Sequence, residues 1–173
     1  LVNSASYSTK DSLLIAYIDS SRGISTAEII ALSKASYDKS SEIKANYKNK
    51  IIDLDIQNTL ILASNQNYSR KDATLIYGLN KAKELTAAQL VKLIDLSYEK
   101  EALIGTDGIK KISNLTYREG LSIVSKFSYS PKDTILIHVV KSIVDINAQK
   151  VQALADLAYS AKTQILQIGM NRL

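Results

Sequence analysis

Apolar residues recur along this chain at helical spacing, in blocks of roughly three turns separated by short polar breaks. One column of the pattern holds Leu32, Leu62, Leu93, Ile123 and Leu154. A second holds Leu13, Ile43, Thr74, Ile104, Ile135 and Ile165, joined one position on by Leu14, Leu75, Leu136 and Leu166. An aliphatic residue at the same place in nearly every copy predicts a buried face on each of two alternating helices.

The breaks between the blocks carry helix-start chemistry in two series. In one, Ser25, Asp55, Thr86, Thr116 and Asn147 each follow an apolar residue: Ile24, Leu54, Leu85, Leu115 and Ile146. This reads as an N-cap preceded by a hydrophobic staple, and Glu28, Gln89 and Glu119 complete capping boxes with Ser25, Thr86 and Thr116. The other series is marked by Tyr7, Tyr37, Tyr68, Tyr98, Tyr129 and Tyr159, which follow one another at 30, 31, 30, 31 and 30 residues. After these stand Ser8, Asp38, Ser69, Glu99, Ser130 and Ser160. Ser8, Ser69 and Ser130 read as caps, with Asp11, Asp72 and Asp133 closing their boxes near the positive end of the helix dipole. Pro131 suits a first helical turn. On this reading Asp133→Ala costs only about 1 kcal/mol, the value of a cap.

Two start signals in every 30 or 31 residues make a tandem array of helix pairs. The fold class expected is all-α, an α-solenoid (α/α superhelix) with a 61-residue double unit, because alternate copies differ slightly. Residues 1–173 form a single helical-repeat domain in this reading, with units starting near 8, 38, 69, 99 and 130 and a terminal helix over 160–173. Leu1 lies six residues before Tyr7, as Leu62 and Ile123 lie six before Tyr68 and Tyr129. Residues 1–7 are therefore expected to be the remnant of a preceding repeat in a longer product.

Composition narrows the chemistry. The chain has 46% hydrophobic and 23% charged residues, the balance of a folded protein. No apolar run approaches the roughly 18 residues that a membrane span needs. There is no Cys, hence no thiol nucleophile or thiolate metal site, and the single His138 cannot build a two-histidine site. A net charge of +5 is a mild excess. Lys48, Lys50, Lys81, Lys83, Lys110, Lys111, Lys141, Arg22 and Arg172 gather toward helix C-termini, but acidic residues in the same turns dilute any basic ridge, which disfavours nucleic acid.

From Leu85 to Leu136 the chain carries Gln89, Leu96-Ser97-Tyr98, Ile112-Ser113-Asn114-Leu115-Thr116-Tyr117 and Phe127-Ser128-Tyr129-Ser130-Pro131-Lys132-Asp133. This stretch resembles a mostly bacterial, often exported family of tandem short-helix domains to which no function is assigned. The resemblance covers about half the chain. It departs by placing Tyr where Phe is usual and by lacking the Asp before the Asn-aromatic pair. It implies no catalytic residue and points to an exported location: periplasmic, cell-surface or extracellular.

No residue is assigned a catalytic, cofactor-binding or metal-ligating role. Asp53-Leu54-Asp55 imitates a two-carboxylate metal motif, but Asp55 aligns with the caps. The ladder tyrosines are expected to pack between units. Tyr17, Tyr47 and Tyr77, mid-helix at the edge of the apolar stripe, are candidates for a binding surface, as is His138, which takes the place of Tyr77 one double unit later. Ile168 and Met170 join them, since Ile165, Leu166, Ile168 and Met170 cover more than one stripe of the last helix. The sequences Asn67-Tyr68-Ser69 and Asn114-Leu115-Thr116 match a glycosylation pattern, explained instead by capping. The function expected is a non-enzymatic protein-interaction or scaffold module, meeting a protein partner or its own copy through the C-terminal end or a concave face. The alternatives are a ligand-binding or enzymatic domain with a Tyr-lined concave groove, and weak nucleic-acid binding through a basic ridge.

Overall fold

The computed structural model describes residues 6–173, less the side chains of Tyr7 and Ser8, so the expectation for the first five residues lies outside the described residues. Among the described residues the protein is all-α, a helical repeat of eleven α-helices with no strand beyond an isolated bridge between Ile24 and Ile51. In chain order these are α1 (Tyr7–Ser20), α2 (Thr26–Ala35), α3 (Ser40–Asn46), α4 (Ile56–Ser64), α5 (Tyr68–Lys81), α6 (Ala87–Leu96), α7 (Glu101–Ile109), α8 (Tyr117–Val124), α9 (Tyr129–Ser142), α10 (Ala148–Asp156) and α11 (Lys162–Met170). Every helix begins within two residues of a start signal in the sequence. The chain divides into two compact units, residues 1–81 and 82–173.

The even-numbered helices are capped as their sequence predicts. Ser25, Thr86 and Thr116 each accept a bond from the third helical amide while Glu28, Gln89 and Glu119 reach back to the cap amide. The Asp55 and Asn147 side chains accept from the amides of Asn58 and Lys150. The aliphatic columns are buried as well: Leu62, Leu93, Ile123 and Leu154 are inaccessible, and so are Ile43, Thr74, Ile104, Ile135 and Ile165. In the first unit Ile18, Ile24, Ile29, Ile43, Ile51 and Leu62 make one core cluster, with Leu32 half-buried at its margin. Leu13 departs from its column and is exposed, while Leu14 beside it is buried.

Helix crossings are set by glycines that the repeat pattern hides. A Cβ on Gly78 would overlap Thr59, one on Gly108 would overlap Leu90, one on Gly120 would overlap Val139, and one on Gly169 would overlap Val151. Residues 59, 90, 120 and 151 are one column and residues 78, 108, 139 and 169 another, so four of the five even-to-odd helix crossings carry one glycine against one larger side chain. At the fourth crossing, between α8 and α9, the two have changed places. The first crossing has no glycine: Ile29 and Tyr47 occupy the two columns, and both pack in the core of the first unit. There α3 stops after seven residues, and the chain rewinds as a 3-10 turn over Lys48–Lys50. Two large side chains at the closest approach leave no room for a straight helix.

The paired crossings predict a specific rescue. Gly169→Val overpacks its crossing and costs about 1 to 3 kcal/mol. Adding Val151→Gly reproduces the arrangement of Gly120 and Val139, so the two changes together cost less than the sum of the two alone. Denaturant unfolding of both singles and the double measures the coupling, about 1 kcal/mol or more; strict additivity contradicts it.

Candidate functional site

The odd-numbered helices start differently from the even ones. Ser8, Ser69 and Ser130 are not N-caps: they stand at the second position of helices that begin at Tyr7, Tyr68 and Tyr129. The Ser8 side chain lies outside the described residues, and the cap residue of α9, Ser128, makes no side-chain cap bond. Asp11 and Asp133 do not close local boxes either. Each is buried and turned toward the next odd helix. Asp11 accepts from the backbone amides of Tyr37 and Asp38, at 2.8 and 3.3 Å. Asp133 accepts from the amides of Tyr159, Ser160 and Ala161, at 2.7, 2.8 and 3.1 Å, and from the Ser160 hydroxyl at 2.8 Å. Asp72, one double unit on from Asp11, is buried too.

A basic residue answers at the other end. Lys50 Nζ donates to the carbonyls of Ile18, Asp19 and Ser21 at 2.8, 2.7 and 3.3 Å, where α1 ends. Arg172 Nη1 and Nη2 donate to Val140 and Ile143 at 2.6 and 2.9 Å, where α9 ends. Lys111 Nζ donates to Ala82 at 2.6 Å. Lys50, Lys111 and Arg172 lie 61 residues apart, as Asp11, Asp72 and Asp133 do. In the first and last double units, then, an acid in the early helix holds the entry of the later one, and a cation just beyond the later helix caps the exit of the earlier. Both contacts follow the helix dipole.

The described ladder tyrosines lie at the rim, two of them, Tyr37 and Tyr159, held there by these clamps, which corrects the expectation that they pack between units. Exposure of the described rungs Tyr37, Tyr68, Tyr98, Tyr129 and Tyr159 runs from 50% at Tyr98 to 71% at Tyr129. In the second unit the rungs share one edge. Asp95 at the end of α6 pairs with Lys126 beyond the end of α8 at 2.8 Å, which brings the segments before α7 and α9 side by side. Asp133 does the same for α9 and α11. The Tyr129 and Tyr159 rings meet edge to face at 5.7 Å. Tyr68 and Tyr129 hold φ values of 47° and 52°, in the left-handed region that costs a side chain about 1 to 2 kcal/mol.

The other candidate residues are scattered. On the first unit Tyr17 is exposed, and Tyr47 is half-buried against the core, where burial and then a hydrogen bond with Asp19 push its hydroxyl pKa up. Tyr77 is half-buried, with Lys48 and Lys81 ammonium groups 5.7 and 5.6 Å from its ring centre, beside a hollow of about 270 Å³ that Asn49 and Ile52 help to line. In the second unit His138 is half-buried, and burial, with Lys110 and Lys141 nearby, pulls its pKa down. Ile168 is half-buried and Met170 exposed on α11. Asp55 is a cap, and Asp53 accepts from the amide and hydroxyl of Thr26 at 2.7 and 2.9 Å, so both are occupied in helix starts. Among the described residues no three His, Asp or Glu side chains gather as a metal site needs, and no helix is long and apolar enough to cross a membrane. No family model, curated protein or solved structure matches this chain.

The clamp carboxylates titrate accordingly. Burial works to raise the pKa of Asp11, but hydrogen bonds from Tyr37, Ser36 and Asp38 outweigh it and lower the group from 3.8 to about 2. Asp133 is lowered in the same way, its burial outweighed by Ser160, Tyr159 and Ala161. Asp38, bonded to Asp11, is raised and offsets part of this. A carboxylate held below its unfolded pKa stabilises the fold above that value, near 3.8, and its contribution disappears as pH falls through the folded value. Stability therefore drops on acidification from about pH 4 toward 2, and drops less in Asp133→Asn. At neutral pH, Asp133→Ala costs about 2 to 4 kcal/mol, because several donors lose a charged acceptor at once. Urea unfolding along a pH series reads both effects; a loss near 1 kcal/mol at neutral pH would return Asp133 to a local cap.

The left-handed tyrosines give a second measurable outcome. Glycine in a helix is normally less stable than alanine by about 1 kcal/mol. At Tyr129 the order reverses, and Tyr129→Gly is more stable than Tyr129→Ala by about 1 kcal/mol, because only glycine is unstrained there. Thermal melts of the two variants decide it.

Proposed function

We propose that this protein is a non-enzymatic interaction scaffold, a helical-repeat array whose working surface is the rim that carries the ladder tyrosines. The observation that carries this reading is a large aromatic side chain in all six copies of a position that is exposed wherever it is described. Side chains that stay half or more exposed gain little from packing that would keep them alike, and the residue after each rung has already changed among Ser, Asp and Glu. Two backbone devices support the same presentation. At Tyr37 and Tyr159 the amide is pinned to a buried carboxylate, while at Tyr68 and Tyr129 a left-handed backbone is tolerated. Strain of that kind collects at functional positions.

The same clamps weaken the nucleic-acid reading, since Lys50, Lys111 and Arg172 are occupied with carbonyls and Lys110 with Asp107. The resemblance to exported domains supports a place outside the cytoplasm. The exposed Met170 and Leu173 support a further contact at the C-terminal end, with a protein partner or a second copy.

The test is affinity capture from the native source with the wild type and with the double variant Tyr129→Ala, Tyr159→Ala, both first shown to melt cooperatively. The expected outcome is a partner retained by the wild type and depleted at least about tenfold by the variant. Equal capture by both places the working surface elsewhere.

A further inference from the structure

The reading of the rim as a binding surface leaves the partner's chemistry open, and the rim itself narrows it. From one residue before each ladder tyrosine of the second unit to four after it, the three copies hold four Ser, three Lys and two Glu, with Asp133 buried beneath them. No aliphatic residue larger than Ala or Pro occurs there, so the tyrosine rings are the only large apolar groups. The cores of protein interfaces are rich in aliphatic and aromatic anchors and poor in Ser. A polyanion needs a cation excess, and here the signs nearly cancel. Tyr and Ser together also serve antibody paratopes, but those meet aperiodic protein surfaces with rungs that all differ. This rim repeats one rung, which suits a partner that repeats one unit.

Resting on that reading, we propose that the tyrosine edge of the second unit, Tyr98, Tyr129 and Tyr159, binds a neutral polysaccharide chain whose sugar rings pack against the tyrosine rings. A pyranose ring is uncharged, offers a C–H face to an aromatic ring and surrounds it with hydroxyls. Those hydroxyls exchange bonds with the exposed Ser128 and Ser130 hydroxyls on either side of Tyr129. In the second unit the perpendicular Tyr129 and Tyr159 rings form a corner, one ring a floor and the other a wall for a sugar ring. Each rung is weak alone, and several rungs on one chain multiply.

The experiment is titration calorimetry of the full chain with linear oligosaccharides of the chitin, cellulose and starch series at increasing length, at low and high salt. The expected result is binding in at least one series, tightening with length and unchanged by salt. Tyr129→Ala with Tyr159→Ala weakens it at least about tenfold, while Tyr129→Phe with Tyr159→Phe, which keeps both ring faces, stays within about threefold. No binding in any series overturns the proposal, and so does binding that the alanine pair leaves intact. If the sugars fail while the alanine pair still abolishes capture of a protein, or of single-stranded nucleic acid, the scaffold reading stands and the glycan is wrong. If neither sugars nor captured partner depend on the tyrosines, both readings fall.

Discussion

A helix of seven to ten residues, the length of most of these, has more unpaired backbone groups at its ends than bonds along its length. A protein made of such helices is therefore governed by what it does with helix ends. Even-numbered helices settle their entries locally, with a side chain three residues away. Odd-numbered helices leave that work to a neighbour: buried Asp11 and Asp133 meet the amides of the following odd start, and Lys50 and Arg172 meet the carbonyls of the preceding odd exit. A buried carboxylate is costly unless hydrogen-bonded, and a helix entry is costly unless its amides are met. Each deficit answers the other, and the register between neighbouring helices follows.

The same clamps explain how the rim is built. A tyrosine whose amide is fixed from beneath cannot fold its ring back into the core, so the ring stays at the surface although the residue is large and partly apolar. Fixing the backbone of a binding residue before its ligand arrives lowers the ordering cost of association. Tyr129 and Tyr159 reach neighbouring places by different backbone routes, one left-handed and one held by Asp133, and still meet edge to face.

Much of the architecture was legible in the sequence because caps and apolar columns are local signals that repeat. Ser25-x-x-Glu28, Thr86-x-x-Gln89 and Thr116-x-x-Glu119 say the same thing in sequence and in space. Ser-x-x-Asp at Ser8, Ser69 and Ser130 is the same text with a different meaning, since a carboxylate at that spacing can turn inward to the next repeat as readily as backward to its own turn. Only burial separates the two. The glycines were illegible for a related reason. Gly78, Gly108 and Gly169 share a column with Val139, and the column makes sense only beside Thr59, Leu90, Val151 and Gly120. The exposure of the ladder tyrosines was equally hidden, because a period reports that a position matters without reporting which way it faces.

The exchanged pair at Gly120 and Val139 bears on how such an array is inherited. Passing from one arrangement to the other by single substitutions goes either through two glycines, which leave a void, or through two side chains, which collide. Both intermediates are worse than either end. A lone helix transplanted between copies therefore arrives beside the wrong complement, whereas an even helix moved together with the odd helix after it carries its own fit along. The hairpin, rather than the helix, is the smallest piece of this protein that duplication or recombination can shuffle without penalty.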